Sequence, residues 1–231
     1  VAWNWKANGS GSSNTNGSIN STVSANVDAG FSIVSWTGTG SAGTVGHGLS
    51  KAPEFSVTKN RDATSYWTAR VLNSYDMVLD LTAAHSTGNH NHTTNASTLS
   101  LAGSYNNISG NNSIAYCFHS VDGYSKVGSY EGNNNADGTF VYTGFQPKFI
   151  IIKDIDASQS WNLYDSVRDT NENPVNVSLL ADSSNAEVGG NPIDFLSNGF
   201  KLRDGSGMIN DAETYIYIAF AETPFKYSNA K

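Results

Sequence analysis

A single cysteine, Cys117, is all the thiol this 231-residue sequence contains. No internal disulfide can form, and no zinc site built from clustered thiolates. Charge is scarce as well: 14% of residues are Asp, Glu, Lys or Arg, with a net charge of −7 and a pI near 5.0. Phosphate recognition needs clustered Lys and Arg, so nucleic acid is excluded as a partner. No apolar run approaches the roughly 18 residues of a membrane span, so no membrane insertion is expected. Catalytic patterns are missing too. Ser206 between Gly205 and Gly207 lacks the Gly-x-Ser-x-Gly spacing of a nucleophile elbow. Gly38-Thr39-Gly40 and Gly43 lack the Lys and following helix of a phosphate loop. The acids are scattered rather than paired as glycoside hydrolysis requires. These absences point away from an enzyme and from any cofactor.

What is present is a repeat. Pro53 to Trp67 laid over Pro147 to Trp161, a constant shift of 94, gives six identities in fifteen positions. They are Pro53/Pro147, Phe55/Phe149, Lys59/Lys153, Asp62/Asp156, Ala63/Ala157 and Trp67/Trp161, with Val57/Ile151 keeping its apolar character. Trp36 answers Tyr130, Leu99 answers Phe200, Ile108 answers Ile209, and Phe118 answers Phe220. Self-similarity at a fixed period marks a duplicated structural unit. The residues that recur are aromatic, apolar, Gly and Pro, which build strands and turns. Asp62 and Asp156 also recur, each before an alanine at a turn, where Asp caps backbone.

Short β-prone runs with turn signals every 8–12 residues predict an all-β, antiparallel sandwich or barrel. Phe149-Ile150-Ile151-Ile152 is continuously apolar, the pattern of a strand covered on both faces. Ala7 to Gly17 reads as a polar loop and Ser18 to Val27 as a strand; Asn176 to Glu187 could hold one turn of helix. Val1-Ala2-Trp3-Asn4-Trp5-Lys6 repeats the pattern of Ile114 to His119 and of Ile216 to Ala221, so the chain is expected to open on the end of a preceding unit of a longer protein. The expected division is 1–29 for that end with a polar loop and strand, 30–122 for a first unit and 123–231 for a second. The units could be tandem sandwiches or halves of one.

Two groups of residues are candidate sites. His90 and His92, two apart, would face one side of a strand and could ligate a metal together, with His85 nearby; an exposed polar loop is the plainer reading. Trp36, Trp67, Trp161 and Tyr130 recur and are read as core. The non-recurring Tyr75, Tyr105, Tyr164 and Tyr227 are candidates for a sugar-stacking surface. Cys117 answers Ala219 and is read as a buried small hydrophobe.

Several runs carry a family resemblance. Val45-Gly46-His47-Gly48-Leu49, Val121 to Tyr130, Phe140-Val141-Tyr142-Thr143-Gly144-Phe145-Gln146-Pro147, Ile193 to Arg203 and Ala219 to Lys226 resemble repeats in virion proteins of marine tailed phages. The resemblance covers nearly the whole chain. It implies a tail-fibre or other surface-fibre protein with a concanavalin-like, jelly-roll β-sandwich, here duplicated. It also implies a place on the virion surface, among other virion proteins. With the polar loops, it leads to an expected role in attachment to a host glycan or receptor, as the C-terminal module of a fibre. The alternatives are a purely structural capsid or tail decoration, and a polysaccharide depolymerase. A homotrimer is expected, because linking weak sites multiplies avidity without new contacts.

Overall fold

The computed structural model describes residues 4–86, 92–169, 173–205 and 207–221. The chain is all-β, its sheets antiparallel throughout, and the only helical turn among the described residues is a 3-10 turn at Tyr105–Asn107. It divides into two compact units: Ala2–Leu79 with Ser86–His119, and Ser120–Lys231 with Asp80–His85. The stretch 12–26, set before the first unit in the expected division, forms two strands of the first unit's own sheet, and the boundary falls at 119/120 rather than 122/123.

The first unit holds β1 (Ser12–Asn14), β2 (Ser21–Asn26), β3 (Phe31–Thr37), β4 (Gly43–Gly46), β5 (Phe55–Asn60), β6 (Thr68–Val71), β7 (Tyr75–Val78), β8 (His92–Thr94), β9 (Thr98–Leu101) and β10 (Asn112–Phe118). One sheet runs β1-β2-β3-β10-β5-β6-β7 and a second runs β4-β9-β8. Val23, Val34, Trp36, Ala115 and Cys117 from the first sheet pack with Val45, Leu99 and Leu101 from the second, and Ile19 and Leu49 complete that core. Cys117 is fully buried, and desolvation pushes its thiol up to about 12.

The second unit holds β11 (Ser125–Glu131), β12 (Phe140–Tyr142), β13 (Pro147–Asp154), β14 (Asn162–Asp165), β15 (Val175–Leu180), β16 (Val188–Leu196), β17 (Gly199–Leu202) and β18 (Thr214–Ala221). They form one sheet ordered β11-β18-β13-β14-β15-β16-β17-β12. A single core cluster draws residues from all eight strands, so the sheet curls around it almost as a barrel. Asn176 to Glu187 contains most of β15 and the turn after it, not a helical turn.

The strand order β3-β10-β5-β6-β7 recurs as β11-β18-β13-β14-β15, and β4-β9-β8 recurs as β12-β17-β16. In the second unit β15 pairs with β16 and joins the two sets, with a register shift between Val175 and Val177. The recurring residues make equivalent ties. Asn60 Oδ1 accepts the N–H groups of Asp62 and Ala63, as Asp154 Oδ1 accepts those of Asp156 and Ala157. Asp62 then holds the first N–H of β10 at Asn112 (2.6 Å), as Asp156 holds that of β18 at Thr214 (2.8 Å). Phe55 stacks on Phe118 at 5.8 Å and Phe149 on Phe220 at 6.2 Å. Such pairs contribute about 0.5–1.5 kcal/mol beyond area burial.

A second recurring tie is a buried asparagine. Asn107 accepts from Thr39 N–H (3.1 Å) and donates to Ser41 O (2.6 Å), while Asn210 accepts from Asn133 N–H (3.1 Å) and donates to Asn135 O (2.9 Å). Both asparagines are fully buried. Gly38 and Gly132 precede the tied loops, and a Cβ there would run into the carbonyls of Ile108 and Asp211 respectively. Thus Ile108 is equivalent to Asp211, and Ile209 to Asn106, a displacement of two residues from the expected pairing. Burial agrees: Ile108 is 40% exposed and Ile209 is fully buried.

Candidate functional site

With the equivalences fixed, each unit shows where the other departs from what the scaffold requires. The interior faces of β5 and β6 carry Ser56, Thr58, Thr68 and Arg70 where β13 and β14 carry Ile150, Ile152, Asn162 and Tyr164. Asn106 stands where Ile209 fills the second core. The substituted groups bind each other: Thr58 and Thr68 hydroxyls lie 2.6 Å apart, and Asn106 Nδ2 donates to both. Ser56 Oγ and His92 Nε2 share a 2.8 Å hydrogen bond, and Arg70 pairs with Asp76 at 2.7 Å. Ser56 is fully buried, so this serine–histidine pair satisfies polar groups inside the unit.

A second departure lies on the exterior. β2 pairs onto β3, and β1 onto β2, at a sheet edge whose counterpart in the second unit ends at β11. The added hairpin creates a groove of about 300 Å³ lined by Ser13, Asn20, Thr22, Ser35, Thr37, Arg61 and Asn112, with Ser21 and Trp36. Register explains the lining, because Ser13, Thr22 and Ser35 are successive cross-strand partners and Thr37 faces Asn112. Thr37 Oγ1 donates to Asn112 Oδ1 (3.2 Å), and Asn112 Nδ2 donates to Asp62 (2.9 Å). Arg61 is exposed, and its backbone N–H is held by Asn112 O at 2.8 Å, which anchors its main chain beside β10. Hydroxyls, amides and one guanidinium on a fixed sheet edge can hydrogen-bond a polyhydroxylated ligand from both donor and acceptor sides.

The residues singled out from sequence are not brought together. Tyr164 is fully buried, and its hydroxyl donates to Asn191 O at 3.2 Å. It is a core residue, not a stacking surface, because β14 turns it inward at the position Arg70 takes in the first unit. Burial raises its pKa well above that of a free phenol. Tyr75 is half-buried on β7, and Tyr105 is 45% exposed with φ +52°. His92 is on β8 and 3% exposed, so it is no loop residue; His90 and Tyr227 lie outside the described residues. Among the described residues no group of three or more His, Cys, Asp or Glu could hold a metal ion. Trp161, Trp36 and Tyr130 are core, whereas Trp67 is half-buried, stacked on Tyr116 with Lys59 Nζ 5.5 Å from its ring centre.

Sequence reading missed Asn107, Asn210 and the groove. The groove has no local motif, since its residues come from four strands and two turns. Its only advance signal was the Ser/Thr/Asn alternation in β2 and β3.

Fold and surface thus define an all-β protein of antiparallel sheets with a polar groove on its first unit. The chain belongs to the family described as Domain of unknown function (DUF7483), whose model matches residues 1–224. No curated protein and no solved structure matches it.

Proposed function

We propose that the chain is a non-enzymatic virion surface protein, the C-terminal module of a tail or head fibre that attaches to glycans on the host. Its scaffold on this reading is a duplicated concanavalin-like β-sandwich. The repeated strand order, the paired Asp62/Asp156 and Asn107/Asn210 ties and the Phe55/Phe149 stacks support duplication. The observation that carries the attachment role is the polar groove of Ser13, Asn20, Thr22, Ser35, Thr37, Arg61 and Asn112. A trimeric fibre would raise the affinity of such a site through avidity.

Glycan-array binding of the module displayed at high valency tests the reading. Arg61→Ala removes a charged donor while its backbone bond to Asn112 O persists. Hydrogen bonds to charged groups contribute about 1.5–3 kcal/mol, so binding should weaken roughly ten- to hundredfold. A blank array at every valency would overturn attachment and favour a purely structural decoration or connector. That second reading draws on the recurring residues, most of which serve scaffold ties.

A further inference from the structure

The sister-unit comparison exposes a second surface, on β12. Val141 is buried at 6% exposure, while its neighbours Phe140 and Tyr142 are 44% and 66% exposed. Residues two apart on a strand share a face, so the two side chains leave the same face from Cα atoms roughly 7 Å apart. β12 is the edge strand of its sheet, next to β17. Its counterpart is β4: Val45 pairs with Leu99 as Val141 pairs with Phe200. The following turns agree too, with Gly48 at φ +72° and Gly144 at φ +88°. Leu49 N–H donates to His47 Nδ1 as Phe145 N–H donates to Thr143 Oγ1. At the positions of Phe140 and Tyr142, β4 carries Thr44 and Gly46. The scaffold therefore accepts a threonine and a glycine there and does not require two aromatic rings.

The neighbours suit a flat ligand. Phe140 faces Lys201 across β17, and Tyr142 faces Gly199, which places no side chain beside the tyrosine ring. Phe140 lies over that glycine: a Cβ on Gly199 would come within 3.1 Å of its Cζ. Tyr142 runs alongside Gly144, whose Cβ would meet its hydroxyl at 3.6 Å. Lys201 Nζ is 2.8 Å from Asp137 Oδ1 and donates to Gly138 O at 2.8 Å. The hydrogen bond from Lys201 holds the Asp137 carboxyl below its ordinary pKa.

We propose that Phe140 and Tyr142 form a stacking platform for a neutral pyranose ring. The C–H face of the sugar lies on the rings, and vicinal hydroxyls reach the Lys201–Asp137 pair as donor and acceptor. Lys201 is met by Asp137, and Arg203, whose charge also reaches Asp137, is met by Asp194, which favours an uncharged sugar over an acidic one. This site is distinct from the groove of the first unit, and it rests on the reading of the protein as a glycan-attachment module.

The test titrates the whole chain, isotopically labelled for NMR, with a neutral tetrasaccharide (maltotetraose, then cellotetraose) and with an acidic control (tetragalacturonate). Amide shifts of Tyr142, Gly199 and Lys201 should move with a neutral sugar and not with the acidic one. The double variant Phe140→Thr, Tyr142→Gly recreates the β4 pattern and should fold; its affinity should fall at least tenfold. Sugar shifts that survive in the double variant but vanish in Arg61→Ala would place recognition in the groove, overturning the platform while sparing the attachment reading. Platform shifts produced by the acidic sugar alone would overturn the neutral assignment. No shift with either neutral sugar at millimolar concentration would overturn the platform, whereas the attachment reading falls only with a blank array. Loss of self-association in the double variant, without loss of a sugar, would make the surface a contact between copies and would also refute it.

Discussion

Asn210→Ala should destabilise the second unit by about 2–3 kcal/mol. The side chain is fully buried and accepts from Asn133 N–H at 3.1 Å. Its amide nitrogen donates to Asn135 O (2.9 Å), Asp204 O (2.6 Å) and Asn133 Oδ1 (3.1 Å), three acceptors for two hydrogens. Each such bond contributes about 1 kcal/mol net, and a partner left buried and unsatisfied costs more, about 1–3 kcal/mol. Asn133 and Asn135 are exposed, so water can replace part of what is lost, which keeps the total below the plain sum. The backbone bond from Asn134 N–H to Asn210 O (2.8 Å) survives the substitution. The sharper variant is Asn210→Asp, which has the same shape. It keeps the acceptor for Asn133 but sets a carboxylate oxygen against the carbonyls of Asn135 and Asp204. It should therefore be at least as damaging as alanine. Urea unfolding followed by fluorescence gives both values, and a thermal scan should show a fall of roughly 2–4 °C per kcal/mol. An Asn210→Asp protein as stable as wild type would refute the account of this tie, and with it the equivalence to Asn107.

Trp161 is fully buried, so Trp161→Ala should cost about 3–5 kcal/mol in urea unfolding. His92→Ala should lower stability by about 1–3 kcal/mol through the orphaned Ser56 hydroxyl; an unchanged melting temperature in thermal scans would contradict the placement of His92. Burial holds His47 below its ordinary pKa, with Nε2–H donating to Asn95 O and Nδ1 accepting from Leu49 N–H. The unfolded chain thus takes up the proton first, so this contribution to stability is complete above about pH 6.5 and is lost as pH falls below it. His47→Thr, the residue of the sister turn, should flatten that slope in urea midpoints. Burial also depresses Lys153 to about 8, so stability should rise as pH increases from there until tyrosine ionisation intervenes; in Lys153→Met that rise should disappear.

Most strands were legible because their apolar positions alternate or run together. β13 appeared as a continuous apolar stretch and is an internal strand with Ile150 and Ile152 fully buried. β16 is hard to see in the sequence, because Gly189, Gly190 and Pro192 are residues that ordinarily interrupt strands. In the structure they are tolerated at the register shift against β15, where Gly190 takes φ +111°. β1 and β8 are hidden in the sequence because three polar or small residues carry no periodicity, and His92 therefore reads as part of a loop. The polar interior of the first unit was hidden by the same alternation that revealed the strands, since Ser56 and Thr58 look like an outward face. Phe140-Val141-Tyr142 is apolar at every position, so the pattern could not say which ring faces water. Tyr164 failed as a surface candidate because non-recurrence was read as exposure, when it marks a core filled differently in the two units.

The route of the chain has a genetic consequence. It leaves the first unit after Leu79, contributes Asp80–His85 to the second, where His85 N–H donates to Ile155 O at 2.9 Å, and then returns at Ser86. A gene cut at the 119/120 junction would therefore give a downstream fragment lacking six residues that the upstream fragment carries uselessly. Recombination at that junction would not exchange either unit whole.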